Sequence, residues 1–138
     1  MILKKLKVED LKFLLDVRND DSTRKFLEND SIFIYEECLN WFKTNNPLWF
    51  IIEVDNKPVG YIRTNGSEIG CDIHPNFRRM GFAKEAYQEY LKDKDFASLW
   101  VFEDNFAKKL YEKLGFKHSG LTKIIRNREY IHMIWNQK

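Results

Sequence analysis

The chain predicts an α/β sandwich with a strand-helix-strand unit at the heart of a mixed sheet, and three features of the sequence carry that prediction. Two amphipathic stripes, Phe82 to Leu91 and Phe106 to Leu114, repeat their apolar residues at helical spacing. Between them lies the dense apolar run "FASLWVF", Phe96 to Phe102, short enough for a buried strand. Asn65-Gly66, set between two strand-like segments, is the strongest short hairpin signal a sequence offers. No internal repeat, low-complexity tract or linker interrupts the 138 residues, so a single domain, 1–138, is expected.

Taken in order, residues 2–8 (ILKKLKV) read as a short strand. Glu9 and Asp10 open a helix through Leu11, Leu14, Leu15 and Val17, their charges suited to the positive end of the helix dipole. The polar string from Arg18 to Ser31 breaks that period and predicts a loop with room for one helical turn. Helical spacing returns from Tyr35 to Lys43 through Tyr35, Cys38, Leu39 and Phe42. Leu48 to Val54 is a buried strand between "NNP" and "DNKP"; Val59 to Thr64 and Ser67 to His74 follow, and the three form an antiparallel meander. After the central unit Gly115 caps the second helix, and Phe116 to Ile125 with Tyr130 to Trp135 close the chain as a strand pair. The order β-α-α-β-β-β-α-β-α-β-β therefore sets helices against a mixed sheet.

Composition narrows the function classes. A 43% hydrophobic content is enough for a sizeable core. Lys and Arg number 23 against 21 Asp and Glu, a balance of +2 spread along the chain, which argues against a nucleic-acid partner. Cys38 and Cys71 sit in apolar segments without metal-ligand or redox spacing, as free thiols in a reducing cytosol do, and no metal is expected. The start "MILKKLKVEDLKFLL" lacks the apolar run of a signal peptide and no stretch reaches about 18 apolar residues, so a cytoplasmic protein without a membrane partner is expected.

The segment "IHPNFRRMGFAKEAYQEYL", Ile73 to Leu91, places Arg78, Arg79 and Gly81 where a helix begins. Cations are disfavoured at that end of the helix dipole unless an anion joins them. Gly81 lets backbone approach a ligand closely, and the free first-turn amides with the two arginines make a cradle for phosphate oxygens. The spacing Arg78-x-x-Gly81-x-Ala83 resembles the pyrophosphate-binding signature of the GNAT superfamily of acetyl-CoA-dependent N-acetyltransferases. Around it "EIGCDIHP", "FAKEAYQEYL", "LWVFEDN" and "AKKLYEKLGF" stand in the family's order, and "LKKLKVEDLKFLLDVRND", "GFKHSG" and "REYIHMIW" extend the resemblance over nearly the whole chain.

The resemblance implies the GNAT fold: a mixed central sheet, flanked by helices on both faces, with splayed parallel strands at Ser67 to His74 and Phe96 to Phe102 and the pantetheine arm of acetyl-CoA lying in the gap. It implies cofactor contacts at Cys71, Ile73, His74, Arg78, Arg79, Met80, Gly81, Phe82, Ala83 and Lys84. In the family an Asn commonly stands seven residues before the tyrosine of "LYEKLGF"; here Asp104 occupies that place and Asn105 follows, and either is a candidate contact. Tyr111 matches that tyrosine and is expected to protonate the departing thiolate, with a pKa near the ordinary value of about 10. Glu68 and Glu103 each occupy a place where a branch of the family keeps a catalytic base.

The first two helices and their connection are expected to hold the acceptor. Here "VRNDDSTR", "CLNWF", "WFIIE" and "VGYIR" resemble the amino-sugar N-acetyltransferases of nonulosonic (pseudaminic-type) acid pathways, and Arg18, Asn19, Arg24 and Arg63 suit a nucleotide-sugar diphosphate and its hydroxyls. Acetylation of protein N-terminal or lysine amines, and a non-catalytic CoA-binding module, stand as alternatives. The apolar C-terminal strand is a candidate for pairing across a homodimer.

Overall fold

The computed structural model describes residues 1–137. Its seven strands are β1 (Ile2–Lys5), β2 (Phe50–Val54), β3 (Lys57–Asn65), β4 (Glu68–Ile73), β5 (Phe96–Phe102), β6 (Lys117–Ile125) and β7 (Arg128–Asn136). They form one sheet in the order β1-β2-β3-β4-β5-β7-β6. The helices are α1 (Leu11–Arg18), the single turn α2 (Asp21–Arg24), α3 (Tyr35–Asn45), α4 (Phe82–Leu91) and α5 (Ala107–Lys113). The predicted α/β architecture with a strand-helix-strand centre is therefore present, β4-α4-β5 being that unit.

Strand alternation divides the side chains between two faces. On one face Leu11, Leu14 and Val17 of α1 and Cys38 of α3 bury Ile51 and Tyr61. On the other, Tyr87 and Leu91 of α4 and Tyr111 of α5 bury Ile69, Leu99 and Val101. The meander β2-β3-β4 is antiparallel throughout. β4 and β5 are parallel and share a single register pair, Glu68↔Ser98, where Ser98 N donates to Ser67 O at 2.9 Å. Beyond that pair the strands diverge toward their C-terminal ends, leaving an opening in the middle of the sheet.

Several boundaries differ from expectation for local reasons. β1 stops at Lys5 because the chain folds into a 3-10 turn over Val8–Asp10, closed by Lys7 N donating to Asp10 Oδ2 at 2.9 Å, and the helix starts only at Leu11. The polar string does hold one helical turn, α2, capped by Asp20, which accepts from Ser22 N. β7 begins two residues earlier than predicted, because Arg126 and Asn127 both take left-handed conformations (φ 51° and 62°) and close a two-residue hairpin that pairs Ile125 with Arg128. Among the described residues no helix is long and apolar enough to cross a membrane, and no group of three or more His, Cys, Asp or Glu is placed to hold a metal ion.

Candidate active site

The opening between β4 and β5 leads into a cavity of about 500 Å³. Its entrance is the start of α4. Gly81, at φ +81°, caps that helix, and a Cβ built on it would meet nothing within 4 Å. The first hydrogen bond of the helix is Glu85 N to Gly81 O at 3.1 Å, so the amides of Phe82, Ala83 and Lys84 have no helical acceptor and stand at the positive end of the dipole. Gly81, Phe82, Ala83, Lys84 and Arg79 all line the cavity, and Arg79 is itself held in the left-handed region at φ 63°. Free first-turn amides beside an arginine are the arrangement by which helix N-termini accept anions.

Arg78 lines the cavity too, and its guanidinium is also bonded within the protein. Its Nε donates to Ile73 O at 3.0 Å and one Nη to Thr23 Oγ1 at 2.8 Å, while the other Nη bonds Ser22 Oγ. The arginine thus ties the α4 entry loop to α2, the two lips of the same cavity. Met80 is 60% exposed and lies outside the cavity lining, and so does His74, whose Nδ1 accepts from Asn76 N at 3.1 Å. Cys71 and Ile73 do line it.

On the α4-α5 side the wall is Tyr111, with Leu110 and Ala107. Tyr111 is 8% exposed, and its hydroxyl lies 3.4 Å from that of Tyr87. Burial pushes its pKa up to about 12, against a smaller lowering by the bond with Tyr87. The tyrosine therefore differs from the unshifted acid expected. Asn105 reaches the cavity and its Oδ1 caps α5 at Ala107 N (2.9 Å), whereas Asp104 turns away to pair with Arg128 at 2.8 Å.

The opposite wall belongs to the α1-α3 face. Tyr61 and Arg63 share that face, and their register partners across β3-β4 are Asp72 and Gly70. Arg63 and Asp72 both line the cavity, Nε 3.0 Å from Oδ2. Burial pulls the guanidinium's pKa down, but the Asp72 carboxylate, together with the hydroxyls of Tyr61, Tyr87 and Tyr111, more than offsets it and leaves the pKa above its usual value. Trp100, Tyr130 and Phe26 complete this side, with Trp100 and Tyr130 stacked at 5.4 Å.

Neither predicted base is brought to the cavity. Glu68 lines a shallower groove reached past Arg63, and Glu103 is paired with Lys108 at 2.9 Å with 48% of its side chain exposed. The carboxylate that does line the cavity is Asp72; a charged residue inside the apolar run of "EIGCDI" was the sequence signal for it. Of the expected acceptor residues only Arg63 arrives. Arg18 donates to Ser31 O (2.9 Å) and Asn29 O (3.1 Å), Asn19 exchanges bonds with the Phe33 backbone at 2.9 Å, and Arg24 holds Asp30 O at 3.0 Å and Asp21 at 2.9 Å. These three knit the connection between α1 and α3, spending on the chain's own carbonyls the donors a diphosphate would need.

Comparison with known proteins agrees with this fold. The model of the Acetyltransferase (GNAT) family matches residues 11–116. The peptidyl-lysine N-acetyltransferase YjaB of Salmonella typhimurium is 29% identical over 109 residues, covering 78% of this chain and 75% of that protein, and its Escherichia coli counterpart is 27% identical. Among solved structures, the spermidine N-acetyltransferase of Vibrio cholerae, in complex with CoA and spermine, superposes with a TM-score of 0.88 at 19% identity over 99% of this chain and 95% of that one. An N-acetyltransferase from Staphylococcus aureus Mu50 gives 0.79 at 21% identity, over 99% and 98%. The chain belongs to the GNAT acetyltransferase family and is an acetyl-CoA-dependent N-acetyltransferase.

Proposed function

We propose that the protein acetylates the primary amine of a small molecule that enters from the α1-α3 face and meets the thioester in the gap between β4 and β5. The observation that carries this is a cavity continuous from the α4 cradle, through the level of Cys71 and Tyr111, to Arg63, Asp72 and Trp100 on the far face. The residues present suit the co-substrate: free first-turn amides, Lys84 and Arg79 for phosphates, Asn105 at the wall, and unpaired edges of β4 and β5 facing each other like places for a missing strand.

The chemistry follows from what each wall offers. An ammonium must lose a proton before its nitrogen can attack the thioester carbonyl, and Asp72 is the carboxylate placed to receive that ammonium. As the C–S bond breaks and the amide forms, the nitrogen gives up a second proton. Tyr111, kept protonated by its burial, supplies one to the departing thiolate. One proton ends on the CoA thiol and one is released, which balances the reaction.

Release of CoA thiol, followed with a panel of amines, tests the reading. Amine-dependent thiol release that collapses in Asp72→Asn is expected; binding of acetyl-CoA with no amine accelerating thiol release would remove it. A peptidyl-lysine acceptor is the second reading, favoured by the two YjaB relatives. A nucleotide-linked amino sugar remains within the small-molecule class, with Arg63 as the one expected contact still available.

A further inference from the structure

The wall formed by Arg63 and Asp72 holds more polar capacity than the protein uses. Although Arg63 Nε and Asp72 Oδ2 stand 3.0 Å apart, neither atom makes an aligned hydrogen bond among the described residues, and the buried Tyr61 Oη beside them has no partner either. No nitrogen of the Arg63 guanidinium donates to another group of the protein among those residues. Arg63 nevertheless keeps 36% of its side-chain surface accessible, toward the cavity and the shallower groove behind it, against 12% for Asp72.

The guanidinium is also placed by the backbone. It packs against Gly70, its register partner on β4: a Cβ on Gly70 would come within 3.0 Å of three guanidinium atoms, Nη1, Nη2 and Cζ. Any side chain at this position would displace the guanidinium from where it now rests. An ion pair needed only for stability requires no such floor, and a misaligned pair in low dielectric gains little over its desolvation cost.

We propose that this wall is a receptor for a zwitterion, and that the acceptor is a free α-amino acid whose ammonium faces Asp72 and whose carboxylate is held by Arg63. A plain cation such as a polyamine or a lysine ammonium would meet Asp72 but also the neighbouring guanidinium. A plain anion would meet Arg63 but also the carboxylate. Only a ligand that carries both charged groups on one carbon satisfies both residues, and the guanidinium's planar fork suits a carboxylate. Phe26, Trp100 and Tyr130 give the rest of this wall its aromatic surface, beside Ser22 and Thr23 whose hydroxyls already accept from Arg78, so the side chain it accommodates is apolar or aromatic. This inference rests on the N-acetyltransferase reading and narrows its substrate.

The experiment compares each amino acid with its decarboxylated analogue: tryptophan with tryptamine, phenylalanine with phenethylamine, leucine with isoamylamine. Spermidine and an N-blocked lysine peptide serve as acceptors without the zwitterion. The expected result is a kcat/KM at least about tenfold higher for the carboxylate-bearing partner, since a site built to hydrogen-bond a substrate group discriminates strongly against its absence. Arg63→Gln should equalise the pairs, and Gly70→Ala should reduce the preference while leaving the cation in the chain, with acetyl-CoA affinity unchanged by calorimetry in both. Equal turnover within the pairs by the unmodified protein, or a preference surviving Arg63→Gln, overturns the inference. Acetylation of spermidine or the peptide, with no amino acid acetylated, removes the zwitterion receptor but leaves the N-acetyltransferase reading standing. Binding of acetyl-CoA without acetylation of any of these amines removes both.

Discussion

Tyr111, the acid of the proposed mechanism, sits where a phenolate is hard to form, and both the role and the burial have measurable consequences. Its hydroxyl is buried beside that of Tyr87, and its pKa stands at about 12. Tyr111→Phe keeps the ring in the α4-α5 core and removes only the proton donor, so kcat should fall about 10²-fold while acetyl-CoA affinity stays near that of the wild type. An unchanged kcat would make Tyr111 a packing residue. The same burial links the side chain to stability. An unfolded tyrosine ionises near 10 and the folded one near 12, so the stabilisation is complete below pH 10 and is lost as the pH rises through 12. Thermal melts should therefore show Tm falling between pH 10 and 12 in the wild type, and falling less steeply in Tyr111→Phe. The role of this tyrosine was open to sequence reasoning because its motif surrounds it. Its shifted pKa was not, because burial depends on Tyr87 of α4, Ile69 of β4 and Phe116 of the α5-β6 connection coming together.

At the level of elements, the α4 entrance and the α1-α3 connection behave differently on substitution. Gly81 has open space around its missing Cβ and a left-handed φ. Gly81→Val should cost about 1–2 kcal/mol of stability through backbone strain, and it should weaken acetyl-CoA binding far more, because the new side chain stands where the phosphates approach. Calorimetry on the folded variant decides this, and unchanged affinity would remove the cradle. Arg24→Ala acts on the chain itself. The bonds from Arg24 to Asp30 O and Asn19 O hold residues 19–30 together, so hydrogen exchange should quicken throughout that connection. A rise in acceptor KM with exchange unchanged would instead restore the substrate contact that its position suggested. Here lies the limit of reading the segment from sequence alone. Arg18, Asn19 and Arg24 in a polar string look free, and only the closed loop reveals that their partners are the carbonyls of Asn29, Asp30, Ser31 and Phe33, up to fourteen residues away. Asp72 and Gly70 were obscured for a related reason: their meaning depends on which β3 residues lie opposite, and register is a property of the paired strands.

The whole molecule is two half-sheets joined at a hinge-like seam. β1 to β4 on one side and β5, β7 and β6 on the other share one parallel register pair, Glu68↔Ser98, after which both strands present unpaired backbone to the gap. Unpaired backbone groups cost free energy when buried and are met by solvent when open, so the gap is a weakly protected seam inside the sheet. A co-substrate whose pantetheine amides bond to these edges fills the seam and couples the halves. Acetyl-CoA at about a hundred times its Kd should stabilise the fold by about 2.7 kcal/mol, a rise in Tm of roughly 10 °C for a domain of this length. Mass-action stabilisation alone carries no information about place, so the decisive measurement is hydrogen exchange by residue. Protection should rise along Gly70 to Ile73 of β4 and Leu99 to Phe102 of β5 and at the first turn of α4. The β6 edge, on the far side of β7, should exchange as before. Protection confined to β6 and β7 would place the ligand elsewhere. A rise in Tm without protection at the seam would show that the two strands do not form the binding cleft.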